Sequence, residues 1–293
     1  MQTLNKILRE NLIFLVAALL PYVSMPAIVH AQGGNVNPIL FTEPMKLSRG
    51  DFMPESQNSF YLEDDDYCKI AVEDWGWQGC PPIEAFVLFS TEDTDTLMID
   101  PPNSDGFVKL DDWKSEDRDS EISQIENEIR ASLVSQSERL GQPVSFAGWK
   151  VYPTLDEEAG VLYYSTDIDF GGEISTNVKA TKFDRRGYII FNLVPISPDL
   201  SAQEIDKMIQ ENLALYTPKE SETRAAFQAG DKVAAVGALG VLATLVGVKY
   251  GKSAATGFLA AAAILLKKFW FILLLPIFWL KSFVARLFNR KDQ

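Results

Sequence analysis

Three carboxylates, Asp167, Asp169 and Glu173, crowd the stretch LYYSTDIDFGGE. Two residues apart on a strand, the two aspartates share a face. Together the three have the makings of an acid–base pair or a metal-binding cluster. The competing reading is a solvated outer face opposite Ile168 and Phe170, and the alternation favours it. A second acidic run, Glu63 to Asp66, offers the oxygen ligands that Ca²⁺ takes. It lacks the spacing and glycine of an EF-hand loop, so a solvated acidic loop is expected. Neither run assigns a metal, and no cofactor is expected.

Cys68 and Cys80 bracket a short loop, and a disulfide is expected there if the chain is exported. The alternative is two buried free thiols. Inside that loop, DWGWQGCPP places Trp75 and Trp77 among glycines and prolines. Exposed aromatics on a stiff loop suit an interaction surface. Packing around the disulfide is the equally simple alternative. Arg185 and Arg186 form a basic doublet that reads as a hairpin turn rather than an anion site.

Gly251-Lys252-Ser253 resembles the end of a P-loop. A P-loop needs a glycine five residues before the second one, to wrap backbone N–H groups around phosphate. Val246 stands there, and the flanks are apolar runs rich in Gly and Ala. No nucleotide is expected to bind. His30 is the single histidine, and it lies before the expected mature start. Without it, Ser-His-Asp and Cys-His catalysis and His-ligated zinc are excluded.

Charge is divided along the chain. Residues 32–231 carry 38 Asp and Glu against 16 Lys and Arg, a net of −22, whereas residues 232–293 carry 9 Lys and Arg against one Asp, a net of +8. The acidic body repels phosphate backbones, so nucleic acid is not an expected partner. The basic, apolar tail suits the cytoplasmic face of a membrane.

The elements that must position these residues follow from periodicity. Residues 1–31 have a basic start, the apolar run LIFLVAALL and Val29-His30-Ala31, the pattern of a cleaved signal peptide. An uncleaved anchor is the alternative. Residues 32–59 lack periodicity and read as a flexible lead-in. Residues 60–230 read as an exported acidic α+β domain: an antiparallel sheet with two packing helices. Strands are expected at 83–90, 96–100 and 106–110. A helix with the stripe Ile122, Ile125, Ile129 and Leu133 comes next, stopped by Gly141. Strands at 144–152, 160–170, 173–183 and 187–194, joined by short turns, form a meander with one face solvated. Ser201 and Glu204 have capping-box spacing and open a second helix.

Residues 231–293 read as membrane anchor segments with a basic C-terminal tail. The apolar runs are 233–248, 254–266 and 269–280, the last two separated by Lys267 and Lys268. An exported body with a cytoplasmic tail requires an odd number of crossings. One crossing with an interfacial remainder satisfies that, and two crossings with the tail outside is the alternative.

Several motifs in this order, namely GFVKLDDWKSEDRDSEISQIENEIR, Gly148-Trp149, LYYSTDIDFGG, Asn177, Arg185-Arg186-Gly187, Asn192 and DKVAAVGAL, resemble one family. It is the uncharacterised, predicted membrane-anchored bacterial proteins, a family of unknown function. The resemblance runs from about Phe60 to the end and implies an envelope protein with a signal peptide, an exported domain and a C-terminal transmembrane helical anchor. It supplies no activity or catalytic residue. Element order alone also resembles Mog1/PsbP-like domains, which are likewise sheet plus helix.

The expected function is therefore a membrane-anchored extracytoplasmic protein in the bacterial inner membrane, non-enzymatic, binding an envelope protein partner or itself. The alternative is an enzyme acting on envelope glycans or peptides through Asp167, Asp169 and Glu173. A channel built from the C-terminal segments is a third reading, disfavoured by their low polar content.

Overall fold

The structure, a computed structural model, describes residues 36–54, 58–74, 79–88 and 91–248. Its strands are β1 (Ile39–Leu40), β2 (Met45–Lys46), β3 (Gly50–Phe52), β4 (Phe60–Leu62), β5 (Ala85–Leu88), β6 (Thr94–Ile99), β7 (Ser145–Asp156), β8 (Val161–Asp169), β9 (Ile174–Phe183), β10 (Tyr188–Pro195) and β11 (Tyr216–Pro218). Its α-helices are α1 (Asp64–Lys69), α2 (Arg118–Leu140), α3 (Ala202–Ala214) and α4 (Ala238–Leu245).

Eight strands form one antiparallel sheet in the order β1-β4-β5-β6-β10-β9-β8-β7, and β11-β3-β2 form a small second sheet. The fold is mixed α/β, with a large antiparallel sheet and few helices. The meander β7 to β10 is the part that short turns dictate. At the β9–β10 turn the Asp184 carboxylate accepts the Arg186 and Gly187 N–H groups.

One sheet face presents Val87, Leu97, Ile99, Val178, Ala180, Ile189 and Phe191. Ile205, Met208 and Ile209 of α3 pack on it, each fully buried. The expected capping box is present at Ser201 and Glu204 and fixes where α3 begins. The other face carries α2. Its stripe Ile122, Ile125, Ile129 and Leu133 is buried, and Gly141 closes the helix in the left-handed region at φ 66°.

Three expectations are corrected. First, residues 32–59 are not simply a lead-in. β1 pairs with β4, β3 pairs with β11, and Phe41, Leu47, Arg49 and Phe52 are buried. These strands are two or three residues long and show no periodicity to read. Second, 106–110 forms no strand. Phe107 makes an isolated parallel bridge to Val233 instead. Third, neither sheet face is left to solvent. The second face needs more apolar cover than α2 supplies, and α4 provides it.

That last point moves residues 233–248 from the anchor to the body. α4 is eight residues long, and seven of them are buried against the domain. A helix of that length rises about 12 Å, far less than a bilayer core of about 30 Å. Among the described residues no helix is long and apolar enough to cross a membrane. The runs at 254–266 and 269–280 lie outside the described residues.

Candidate functional site

The most unusual chemistry lies in the middle of the α2-bearing face. Asp100, Asn192 and Lys179 come from β6's end, β10 and β9, and all three are buried. Asn192 stands opposite Lys179 in the β10–β9 ladder. Its carboxamide donates to Asp100 Oδ1 at 2.9 Å. Burial pushes the Asp100 carboxyl up to about 6, opposed by the Asn192 hydrogen bond and the Lys179 charge. Burial likewise pulls the Lys179 ammonium down to about 8, opposed by Asp100. Two further buried acceptors, Asn192 Oδ1 and Thr181 Oγ1, have no hydrogen-bond partner.

An acid near 6 and an amine near 8 could exchange protons at neutral pH. Their placement argues for a different role, because α4 closes over them. Lys179 Nζ donates to the Leu245 carbonyl at 3.0 Å, at the C-terminal end of α4. At the other end, Asp112 Oδ1 and Oδ2 accept the Ala238 and Leu239 N–H groups at 3.0 and 3.1 Å. An anion at the N-terminus and a cation at the C-terminus each satisfy unpaired backbone groups and match the helix dipole. The two charges hold a nearly all-apolar helix by its ends. Gly237, just before α4, has no room for a side chain, because a Cβ would run into the Asp112 carboxylate.

The chain leading to α4 is tied in the same way. Arg185 makes a forked pair with Asp231, at 2.7 and 2.9 Å. Arg186 makes another with Glu222, at 2.9 and 2.7 Å. Phe107 N–H donates to Lys232 O, and Ala234 N–H donates back to Phe107 O. Gly106 permits this approach, because a Cβ there would meet the backbone of 232–234. The motif residues Arg185, Arg186 and Asp231 thus converge on one task. They seat the strap formed by residues 219–248 against the sheet.

The candidate carboxylates are arranged differently. Asp167 Oδ1 accepts the Thr176 hydroxyl at 2.7 Å, and Oδ2 lies 3.8 Å from Lys150 Nζ. Asp169 Oδ1 accepts the Gly172 N–H at 2.6 Å and shapes the β8–β9 turn. Glu173 is exposed in that turn. The carboxylate oxygens of Asp167 and Asp169 serve the local fold, and among the described residues no group of three or more His, Cys, Asp or Glu could hold a metal ion.

Of the acidic run, Asp64, Asp65 and Asp66 occupy the first turn of α1 rather than a loop. Asp66 accepts the Asn37 N–H and pairs with Lys69, which holds its carboxyl below the ordinary value. Cys68 and Cys80 form a disulfide with a Cα–Cα separation of 5.3 Å. It sits beside a small core of Leu62, Tyr67, Ile70, Ala71, Phe86 and Met98. Trp75 and Trp77 lie outside the described residues, as do Gly251, Lys252 and Ser253.

Sequence reasoning passed over Lys179, Asp100 and Asp112. A lysine between Val178 and Ala180 on a long strand was the available signal for the first. Asn192, interrupting YIIFNLVP, was the signal for its neighbour.

The family described as "Protein of unknown function (DUF2167)" matches residues 53–278. A comparison with curated proteins finds no match. Among solved structures, the solution structure of cyanobacterial PsbP (CyanoP) from Synechocystis sp. PCC 6803 is similar with a TM-score of 0.32 and 12% identity, over 68% of this chain and 100% of that one. A likeness that loose assigns neither fold nor function.

Proposed function

The chain belongs to the DUF2167 family of unknown function, and we propose that it is a membrane-tethered extracytoplasmic protein that binds a protein partner, or itself, in the bacterial envelope. The observation that carries this reading is the seating of α4. Only eight residues separate Leu245 from the apolar run that begins at Ala254. A body gripping its chain up to that point is coupled to whatever holds the following segments. In this reading residues 1–31 are a signal peptide, and the runs 254–266 and 269–280 form the transmembrane or half-inserted helical anchor. The basic tail after Leu280 lies on the cytoplasmic side. The disulfide fits an oxidising compartment. The acidic body is repelled by anionic headgroups, which favours a protein as its partner. The enzyme reading built on Asp167, Asp169 and Glu173 gains no support from their geometry.

Extraction of the tagged full chain from its own membranes in mild detergent tests the proposal. The mass of the native complex and the stoichiometry of its components are the readout. A stoichiometric membrane partner or a defined homo-oligomer supports it. Recovery as a monomer alone overturns it.

A further inference from the structure

A cavity of about 150 Å³ opens where the end of β9 meets β11 and the start of the strap. Its walls include Phe183, Ile189, Tyr216, Lys182, Arg224 and Glu222. The charges in this wall are unevenly satisfied. Asp184, also lining it, is buried and committed to Arg49 and to two turn N–H groups. Glu222 is committed to Arg186 through both oxygens. Among the described residues the two cations hydrogen-bond to neutral carbonyls. Lys182 Nζ donates to the Ala159 carbonyl at 2.6 Å. Both terminal nitrogens of Arg224 donate to the Val108 carbonyl, at 3.1 and 3.2 Å.

In a domain this acidic, two half-buried cations that face one cavity and make no ion pair with the carboxylates sharing its wall are out of place. Removal from water lowers the affinity of both groups for their protons, and the charges of Asp156 beside Lys182 and Asp184 beside Arg224 offset this only in part. Arg224 is also fixed in position. Its guanidinium lies 4.4 Å from the Phe107 ring centroid and 5.7 Å from that of Phe183. Its stem packs where a Cβ on Gly160 would otherwise stand. A guanidinium held rigid by stacking and by a carbonyl is pre-organised to receive an oxyanion.

We infer that this cavity binds a small organic carboxylate, with Arg224 and Lys182 facing the anionic group and Ile189 and Tyr216 against a short apolar body. A space of about 150 Å³ accommodates a body the size of a benzene ring. The apolar walls distinguish this ligand from inorganic phosphate, which would leave them unused. The site is separate from the seat of α4 and holds whether or not the chain has a protein partner.

Calorimetric titration of the full chain in non-ionic detergent tests the inference, with benzoate, benzamide and inorganic phosphate as probes. Saturable binding of benzoate, absent for benzamide, is expected. Lys182→Gln and Arg224→Gln should each weaken it about tenfold or more, the gain from a charge-assisted hydrogen bond. Arg224→Gln also removes packing, so Lys182→Gln, with its melting curve as control, is the deciding variant. Absence of saturable benzoate binding, equal binding by the wild type and Lys182→Gln, or binding of phosphate alone overturns the inference.

Discussion

Lys179 Nζ meets the Leu245 carbonyl across 66 residues of sequence, so an amine in the middle of the sheet ends a helix that covers it. The same amine feels Asp100, and the two groups give stability a defined pH profile. Asp100 titrates near 6 when folded, against an ordinary 3.8. Between those values the folded chain holds a proton that the unfolded chain has released. Stability therefore falls as pH climbs from about 4 to about 6. Lys179 titrates near 8 when folded, against 10.5. Between those values the unfolded chain holds the extra proton, so stability rises again. Urea denaturation across pH should show this two-sided minimum. Asp100→Asn should flatten the acid limb and move the basic limb to lower pH, because Lys179 loses its attracting charge.

Asp112→Ala removes both acceptors at the start of α4. Loss of a capping side chain costs about 1–2 kcal/mol. The effect should be local first. Hydrogen exchange at 238–248 should accelerate about tenfold or more while the β8 and β9 amides stay protected.

Arg49 is 2% exposed and pairs with Asp184, which stays buried when its partner is lost. Arg49→Met should cost about 3–5 kcal/mol, read from the midpoint of chemical denaturation. Converting both, with Asp184→Asn added, should recover part of that loss.

The disulfide closes a loop with a sequence separation of 12. Replacing Cys68 and Cys80 by Ala should lower stability by about 3 kcal/mol. Reducing agent should lower the wild type by a similar amount and leave the double variant unchanged. Thiol alkylation before and after reduction gives the pairing in cells.

Asp167→Asn separates binding from chemistry. The asparagine can still accept from Thr176, so stability should change by less than about 1 kcal/mol. Recovery of the native complex should match the wild type. An isolated loss of function in a folded variant would return the carboxylates to candidacy.

Elements with a local cause were legible in the sequence. The α2 stripe, the Gly141 stop, the Ser201 capping box and the turns of the β7–β10 meander all obey short-range rules. The cysteine pairing was one of two readings open for an exported chain, and the disulfide is the one observed. What failed had no local cause. Strands of two or three residues near the N-terminus exist only because β4 and β11 pair with them. The run at 233–248 is apolar on all sides, and composition does not distinguish a helix buried in protein from one buried in lipid. The Asp100–Asn192–Lys179 group was illegible for a related reason, since its members come from three strands and meet only in the assembled sheet.

The strap also sets an order of events. Residues 233–248 are synthesised after every strand of the sheet, so one sheet face has only α2 over it until the last part of the body emerges. Pairings such as β3 with β11 likewise wait on distant chain. Contacts this remote in sequence form slowly, and apolar surface exposed in the interval invites aggregation. A chain truncated before α4 would keep its strands and lose the cover of that face. Biogenesis, rather than the finished molecule, is where such a truncation would first be felt.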